Sequence, residues 1–214
     1  MLEQVIDLKT ERHEAYWTAL QKPKGVIFAL GCAGTGKTYM ASVRAAEWLS
    51  SGKKNNVAII RPNVSCGPSL GYRPGTMEDK MAEWIAPIRS HLNNLLGKSH
   101  VSNLLSNERI SVHPIETVRG CTFDNTLIIL DEAQNCTYEQ LKALLTRIGK
   151  WSLMIVNGDT GQTDLKQFSG LSKVVNMAEF YTDADIITFT QEDIMRSDEC
   201  AKWIRAFEME ESAA

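Results

Sequence analysis

Apolar and polar positions follow two rhythms along this chain. In residues 11–21 the apolar positions Ala15, Tyr16, Ala19 and Leu20 recur at the spacing of one helix face, and Lys22-Pro23-Lys24 stops the pattern. GVIFAL, residues 25–30, is a short unbroken apolar run rich in strand formers, the pattern of a strand covered on both faces. A helix over 38–51 follows, then a second buried strand over 56–60. Residues 61–75 are dense in proline and glycine and predict a long functional loop. From Thr76, Met77, Met81, Trp84, Ile85, Ile88, Leu92, Leu95 and Leu96 step by three and four, a long amphipathic helix that Pro87 should kink or divide.

Residues 97–108 give no clear pattern. Beyond them, strands are predicted near 109–113, over 126–132, over 151–159 and over 185–190. Helices are predicted over 137–148, 169–180 and from the last strand to Glu208, with 208–214 as a frayed tail. Thr137 and Gln140 have the spacing of a capping box. Strands alternating with helices predict a parallel α/β sheet, with a crevice at the carboxyl ends of its strands. At 214 residues, the chain fits one domain, with a core over 7–207.

Composition narrows the partners. The net charge of −3 does not describe a generally basic nucleic-acid binder, although it leaves room for a local patch. Lys22, Lys24, Lys53 and Lys54 read as scattered solvated charges, while Tyr72 and Phe168 are loop aromatics able to stack bases. The five cysteines form no C-x-x-C pair, which predicts reduced thiols. The start of the chain is charged throughout, unlike a signal peptide. No apolar run reaches the ~20 residues that span a bilayer. A cytoplasmic protein without membrane contact is the expectation.

Three stretches carry chemistry. Gly31-Cys32-Ala33-Gly34-Thr35-Gly36-Lys37-Thr38 fits G-x-x-x-x-G-K-[ST] between a predicted strand and a predicted helix. Its glycines let the backbone curl onto phosphate oxygens. Lys37 is expected to reach the β- and γ-phosphates and Thr38 to ligate Mg²⁺. LIILDEAQN, residues 127–135, puts Asp131 at a strand end, where it can hold the metal. Glu132 follows, placed to orient or deprotonate water. In VNGDTGQTDL, residues 156–165, Asp159 and Gln162 sit after the next strand. An amide such as Gln162 can sense a γ-phosphate without ionising, though an ordinary polar turn reads equally well.

Taken in order, GCAGTGKT, LIILDEAQN, LTRIG and NGDTGQTDL resemble the PhoH family of ATPases. So do RPNVSCGPSLGYRPG, TVRGCTF and TQEDIMRS. The resemblance covers residues 7–207, and the family in turn resembles the RecA-like core of superfamily 1 helicases. It implies a P-loop NTPase with a RecA-like parallel sheet flanked by helices, and ATP as substrate with Mg²⁺. Within it, Gln162 matches the glutamine near the γ-phosphate. Arg147 and Arg196 are candidates for the charge-stabilising arginine, and Arg61 and Arg119 are further basic residues near strand ends. His13 stands where many members carry a glutamine that reads adenine, and Cys121 where an arginine is common. No nuclease or RNA-binding module is expected.

One RecA-like lobe should not translocate as a monomer. The resemblance therefore implies a homo-oligomeric ring, a hexamer, in which a neighbour contributes an arginine. RNA or single-stranded DNA is the implied partner. Two other readings compete: a small-molecule or nucleoside kinase, and a nucleotide-dependent interaction module with negligible turnover. A kinase has little use for a water-activating Glu132.

Overall fold

The computed structural model describes residues 6–51, 56–63, 85–160 and 169–213. Its elements are α1 (Glu11–Leu20), β1 (Gly25–Leu30), α2 (Lys37–Ser50), β2 (Asn56–Arg61), α3 (Ala86–Leu96), α4 (Lys98–Ser106) and β3 (Ile110–Pro114). After these come β4 (Thr126–Leu130), α5 (Tyr138–Leu145), β5 (Leu153–Gly158), α6 (Leu171–Tyr181), β6 (Asp185–Thr188) and α7 (Asp198–Ala213).

All six strands are parallel, in the order β3-β2-β4-β5-β1-β6. Side chains alternate across each strand, so one sheet feeds two cores. Ile27, Ala29, Val57, Ile59, Leu127 and Ile155 face one layer with Tyr16, Met40, Ile88 and Val101 of α1 to α4. Phe28, Ile60, Ile128, Leu130 and Val156 face the other, with Leu141, Leu144, Leu171 and Val174 of α5 and α6. This is the two-faced burial that the unbroken apolar runs predicted. With the phosphate loop after β1, it makes a RecA-like P-loop α/β fold.

Local signals set several element ends. Thr10 caps α1, its hydroxyl accepting from the His13 amide. The Thr137–Gln140 capping box forms at α5. Pro87, expected to kink or divide a helix, sits in the first turn of α3, where a missing N–H costs little. The predicted helical stretch before residue 85 lies outside the described residues. The unpatterned 97–108 segment is α4, set off from α3 by Gly97 at φ +86°. The last helix continues to Ala213, past the tail expected to fray from Glu208. Among the described residues no helix is long and apolar enough to cross a membrane.

Candidate functional site

The glycine loop leaves β1 at Leu30 and enters α2 at Lys37. Gly31 has φ +125°, and a Cβ there would run into the Phe189 carbonyl, so only glycine fits. Gly34 and Gly36 also take positive φ. No side chain caps α2, so its first N–H groups point into the loop, the arrangement that receives an anion. The Lys37 ammonium donates to the Gly31 carbonyl at 2.6 Å, the Cys32 carbonyl at 2.7 Å and Thr35 Oγ1 at 3.2 Å. Burial pulls the Lys37 pKa below its ordinary value, against the carboxylates of Asp159, Asp131 and Glu132 that push it up. The Cys32 side chain is buried, and its carbonyl accepts from the Lys37 ammonium.

The acids meet the loop across the sheet, because β4 ends beside β5 and β5 beside β1. Thr38 Oγ1 donates to Asp131 Oδ1 at 3.0 Å. Burial raises the Asp131 pKa, while Arg61 and the hydrogen bonds of Thr38 and Asn157 lower it and Glu132 raises it further; the net is upward. Glu132 sits at φ 60°, ψ 42°, a left-handed conformation that costs a non-glycine residue ~1–3 kcal/mol and is found at functional sites. The strand stops at Leu130, one residue short of Asp131, and this turn re-aims the second carboxylate. Glu132 Oε1 pairs with Arg61 Nη2 at 3.3 Å, and Oε2 accepts from Gln134 Nε2 at 2.6 Å. Gln134 Oε1 accepts from the Asp159 amide at 3.2 Å, joining the ends of β4 and β5.

Behind the loop stands a buried polar column. His13 is wholly buried, with Nε2 at 3.1 Å from the Thr35 carbonyl, which can only accept, so Nε2 carries the proton. Its Nδ1 lies 3.0 Å from Thr10 Oγ1, and Thr10 donates to Asp193 Oδ1 at 2.6 Å. The Asp193 pKa is lowered: burial opposes this but is outweighed by hydrogen bonds from Thr10 and Thr190 and by Arg12. His13 was expected to stand where a base is read. The structure instead packs it against Phe189, ring centroids 5.5 Å apart, behind the loop and away from the cleft.

The cleft over the loop holds about 540 Å³. Loop residues Gly31, Ala33, Gly34, Thr35 and Gly36 line it, as do Lys37, Thr38, Asp131, Glu132, Asp159 and Arg196. Arg196 comes from the segment after β6: the Met195 amide donates to the Gly34 carbonyl at 2.9 Å, and Arg196 Cγ lies against Gly34. Arg147 is not brought to this cleft. It follows α5 at the amino-terminal end of the sheet, where its carbonyl accepts from the Phe123 amide. Gln162 lies outside the described residues. The sequence reading missed Tyr39, His91 and Asn157. Tyr39 and His91 form an edge-to-face pair at 5.2 Å on the cleft wall, and Asn157 accepts from the Tyr16 hydroxyl at 3.3 Å. Only Tyr39 carried a signal, its place right after Gly-Lys-Thr.

A model of the family described as "PhoH-like protein" matches residues 5–208. The chain belongs to the PhoH-like family. It is 37% identical over 205 residues to a PhoH-like protein of Bacillus subtilis, covering 95% of this chain and 64% of that one. It is 37% identical over 203 residues to the protein PhoH of Escherichia coli, covering 92% and 57%. The chain thus spans somewhat over half the length of these relatives. A crystal structure of a Bacteroides Pif1 in complex with ADP-AlF4 is 13% identical with a TM-score of 0.38, covering 90% of this chain and 44% of that one. PhoH-like membership and the phosphate loop in its strand–helix setting make the cleft the nucleotide site of a P-loop NTPase.

Proposed function

We propose that the chain hydrolyses ATP with Mg²⁺ at this cleft, as one subunit of a homo-oligomeric ring, and couples turnover to RNA or single-stranded DNA. The observation that carries hydrolysis is the contact of Thr38 with Asp131, with Glu132 the next residue. A hydroxyl and a carboxylate are the hard oxygen donors Mg²⁺ prefers, and phosphate oxygens and water complete its shell.

The chain's own groups then have distinct tasks. Loop amides and the α2 N-terminus bind the phosphates. Lys37 leaves the Gly31 and Cys32 carbonyls for the β- and γ-phosphates. Glu132 takes a proton from the attacking water. Arg196 lies on the cleft side, where it can meet charge developing on the γ-phosphate, and Gln162 senses that phosphate. Arg147 lies at the other end of the sheet, away from this cleft, and the ring, a hexamer, rests on the resemblance.

Phosphate release with and without Mg²⁺ tests this, alongside Glu132→Gln. Expected is Mg²⁺-dependent release that Glu132→Gln abolishes while nucleotide binding persists. Binding without turnover in the parent chain would instead mark a nucleotide-dependent interaction module. A monomeric mass with and without an ATP analogue would remove the ring.

A further inference from the structure

The opposite end of the sheet, where the strands begin, holds a second set of unexplained groups. Trp151 precedes β5 at φ 57° and is 66% exposed, a large indole held out in a left-handed turn. It stands between two clefts and lines both. The larger, about 590 Å³, also carries Lys22, Lys24 and Lys150. The smaller, about 360 Å³, carries Arg44, Trp48 and Asn125. The Lys24 ammonium lies 5.5 Å from the Trp151 ring centroid.

Two donors lining the smaller cleft lack acceptors. Trp48 Nε1 and Arg44 Nε are buried without a hydrogen-bond partner. Trp48 is only 8% exposed. A buried N–H left unpaired costs ~1–3 kcal/mol, but the Arg44 guanidinium lies over the Trp48 ring, 5.3 Å from its centroid, so these two side chains form the wall of the cleft. The nearby acids are mostly engaged: Asp185 pairs with Lys22 at 2.6 Å, Glu47 with Arg44 at 3.3 Å, and Asp124 Oδ1 accepts from the Lys150 amide at 2.6 Å, leaving Asp183. Among the described residues neither the Lys24 nor the Lys150 ammonium forms a salt bridge with a carboxylate. Two ammonium groups without a carboxylate partner thus line the same cleft as an exposed indole.

We propose that this edge binds single-stranded nucleic acid, with a base stacked on Trp151 and phosphates on Lys24 and Lys150. Every base has a π-face and every linkage a charge, so the site reads no sequence. It lies at the end of the sheet remote from the nucleotide cleft, so strand binding and nucleotide binding occupy separate surfaces. The proposal deepens the nucleic-acid coupling above and rests on it for any effect on turnover, but not for binding itself.

The test is fluorescence anisotropy of the full chain with fluorescein-labelled oligouridylate and oligodeoxythymidylate across a salt series. Binding of a fluorescent ATP analogue and a thermal melt serve as fold controls. Trp151→Ala should weaken strand binding about ten-fold, and Trp151→Phe by no more than about two-fold, because a ring remains. Replacing Lys24 and Lys150 together by Ala should flatten the salt slope by about 1.4. The two oligomers tell RNA from DNA. Unchanged affinity and slope in these variants, or no binding by the parent at low salt, would overturn the site. So would a Trp151→Ala protein of lower assembled mass with intact strand affinity, which would make the edge an interface between copies. Phosphate release is scored separately, so an inactive chain that still binds strands through Trp151 would sink only the hydrolytic reading.

Discussion

His13 Nε2 lies 3.1 Å from the carbonyl oxygen of Thr35, so a wholly buried imidazole braces the phosphate loop from behind. Removing it leaves a loop carbonyl and the Thr10 hydroxyl without that partner, a loss of ~1–3 kcal/mol. His13→Ala is expected to lower the melting temperature and weaken ATP binding, and His13→Gln to restore part of both. Calorimetry and a fluorescent-nucleotide titration measure the two effects. Full affinity in His13→Ala would mean the brace does not shape the loop.

Asp131 combines a metal-ligand position with an unfavourable resting charge. Its pKa is raised in the folded chain, chiefly by burial. A carboxyl whose folded value exceeds its unfolded value contributes stability that is complete below the unfolded value and lost as pH rises through the folded one. At neutral pH without metal, its ionised form therefore destabilises the fold. Asp131→Asn should raise the nucleotide-free melting temperature, by roughly 2–4 °C for each kcal/mol relieved. The gain should shrink as pH falls through the raised value of the parent's carboxyl toward the ordinary carboxylate range. Mg²⁺-dependent phosphate release should be lost in the same variant. Melts across pH that show no advantage for Asn would contradict this account.

Gly31 and Gly120 both have positive φ, at +125° and +88°, but differ in their surroundings. A Cβ at Gly31 meets the Phe189 carbonyl, whereas at Gly120 nothing lies within 4 Å. Gly120→Ala should cost only the backbone strain, ~1–2 kcal/mol. Gly31→Ala should cost more, about 3 kcal/mol or above, and distort the nucleotide cleft. Urea denaturation of the two variants checks the ordering.

Gln134 touches both Glu132 Oε2, at 2.6 Å, and the Asp159 amide, at 3.2 Å. It is a positioning residue that holds the carboxylate while following the end of β5. Gln134→Ala should lower kcat about ten-fold and leave KM within about two-fold, the signature of an interaction used at the transition state. A rise in KM at constant kcat would assign Gln134 to nucleotide binding instead.

Determinants that act over a few residues were legible before any folding. GVIFAL and TLIIL are unbroken apolar runs and became doubly covered strands. Gly-Lys-Thr stood between strand and helix, and Thr137 and Gln140 closed their box, because caps and turns form within one segment. The start of α3 beside Pro87 was less legible, because the apolar pattern runs on across Ile85 and periodicity alone does not say where a helix starts. The side of the sheet on which a residue ends up was not legible. His13 carries the same local pattern whether it reads a base or braces Thr35, and Arg147 the same whether it faces its own nucleotide or the far edge. Those outcomes follow from the order β3-β2-β4-β5-β1-β6, which sets β1 against β5 although their residues are far apart in sequence. The same pairing brings Lys22 and Lys24, which read as scattered surface charges along the chain, beside Lys150 and Trp151 before β5. The sequence alone determined the segments, the loop chemistry and the two-faced burial, since these rest on neighbours in the chain. Only the tertiary structure decided which strand ends adjoin, because that depends on burying both faces of one sheet at once.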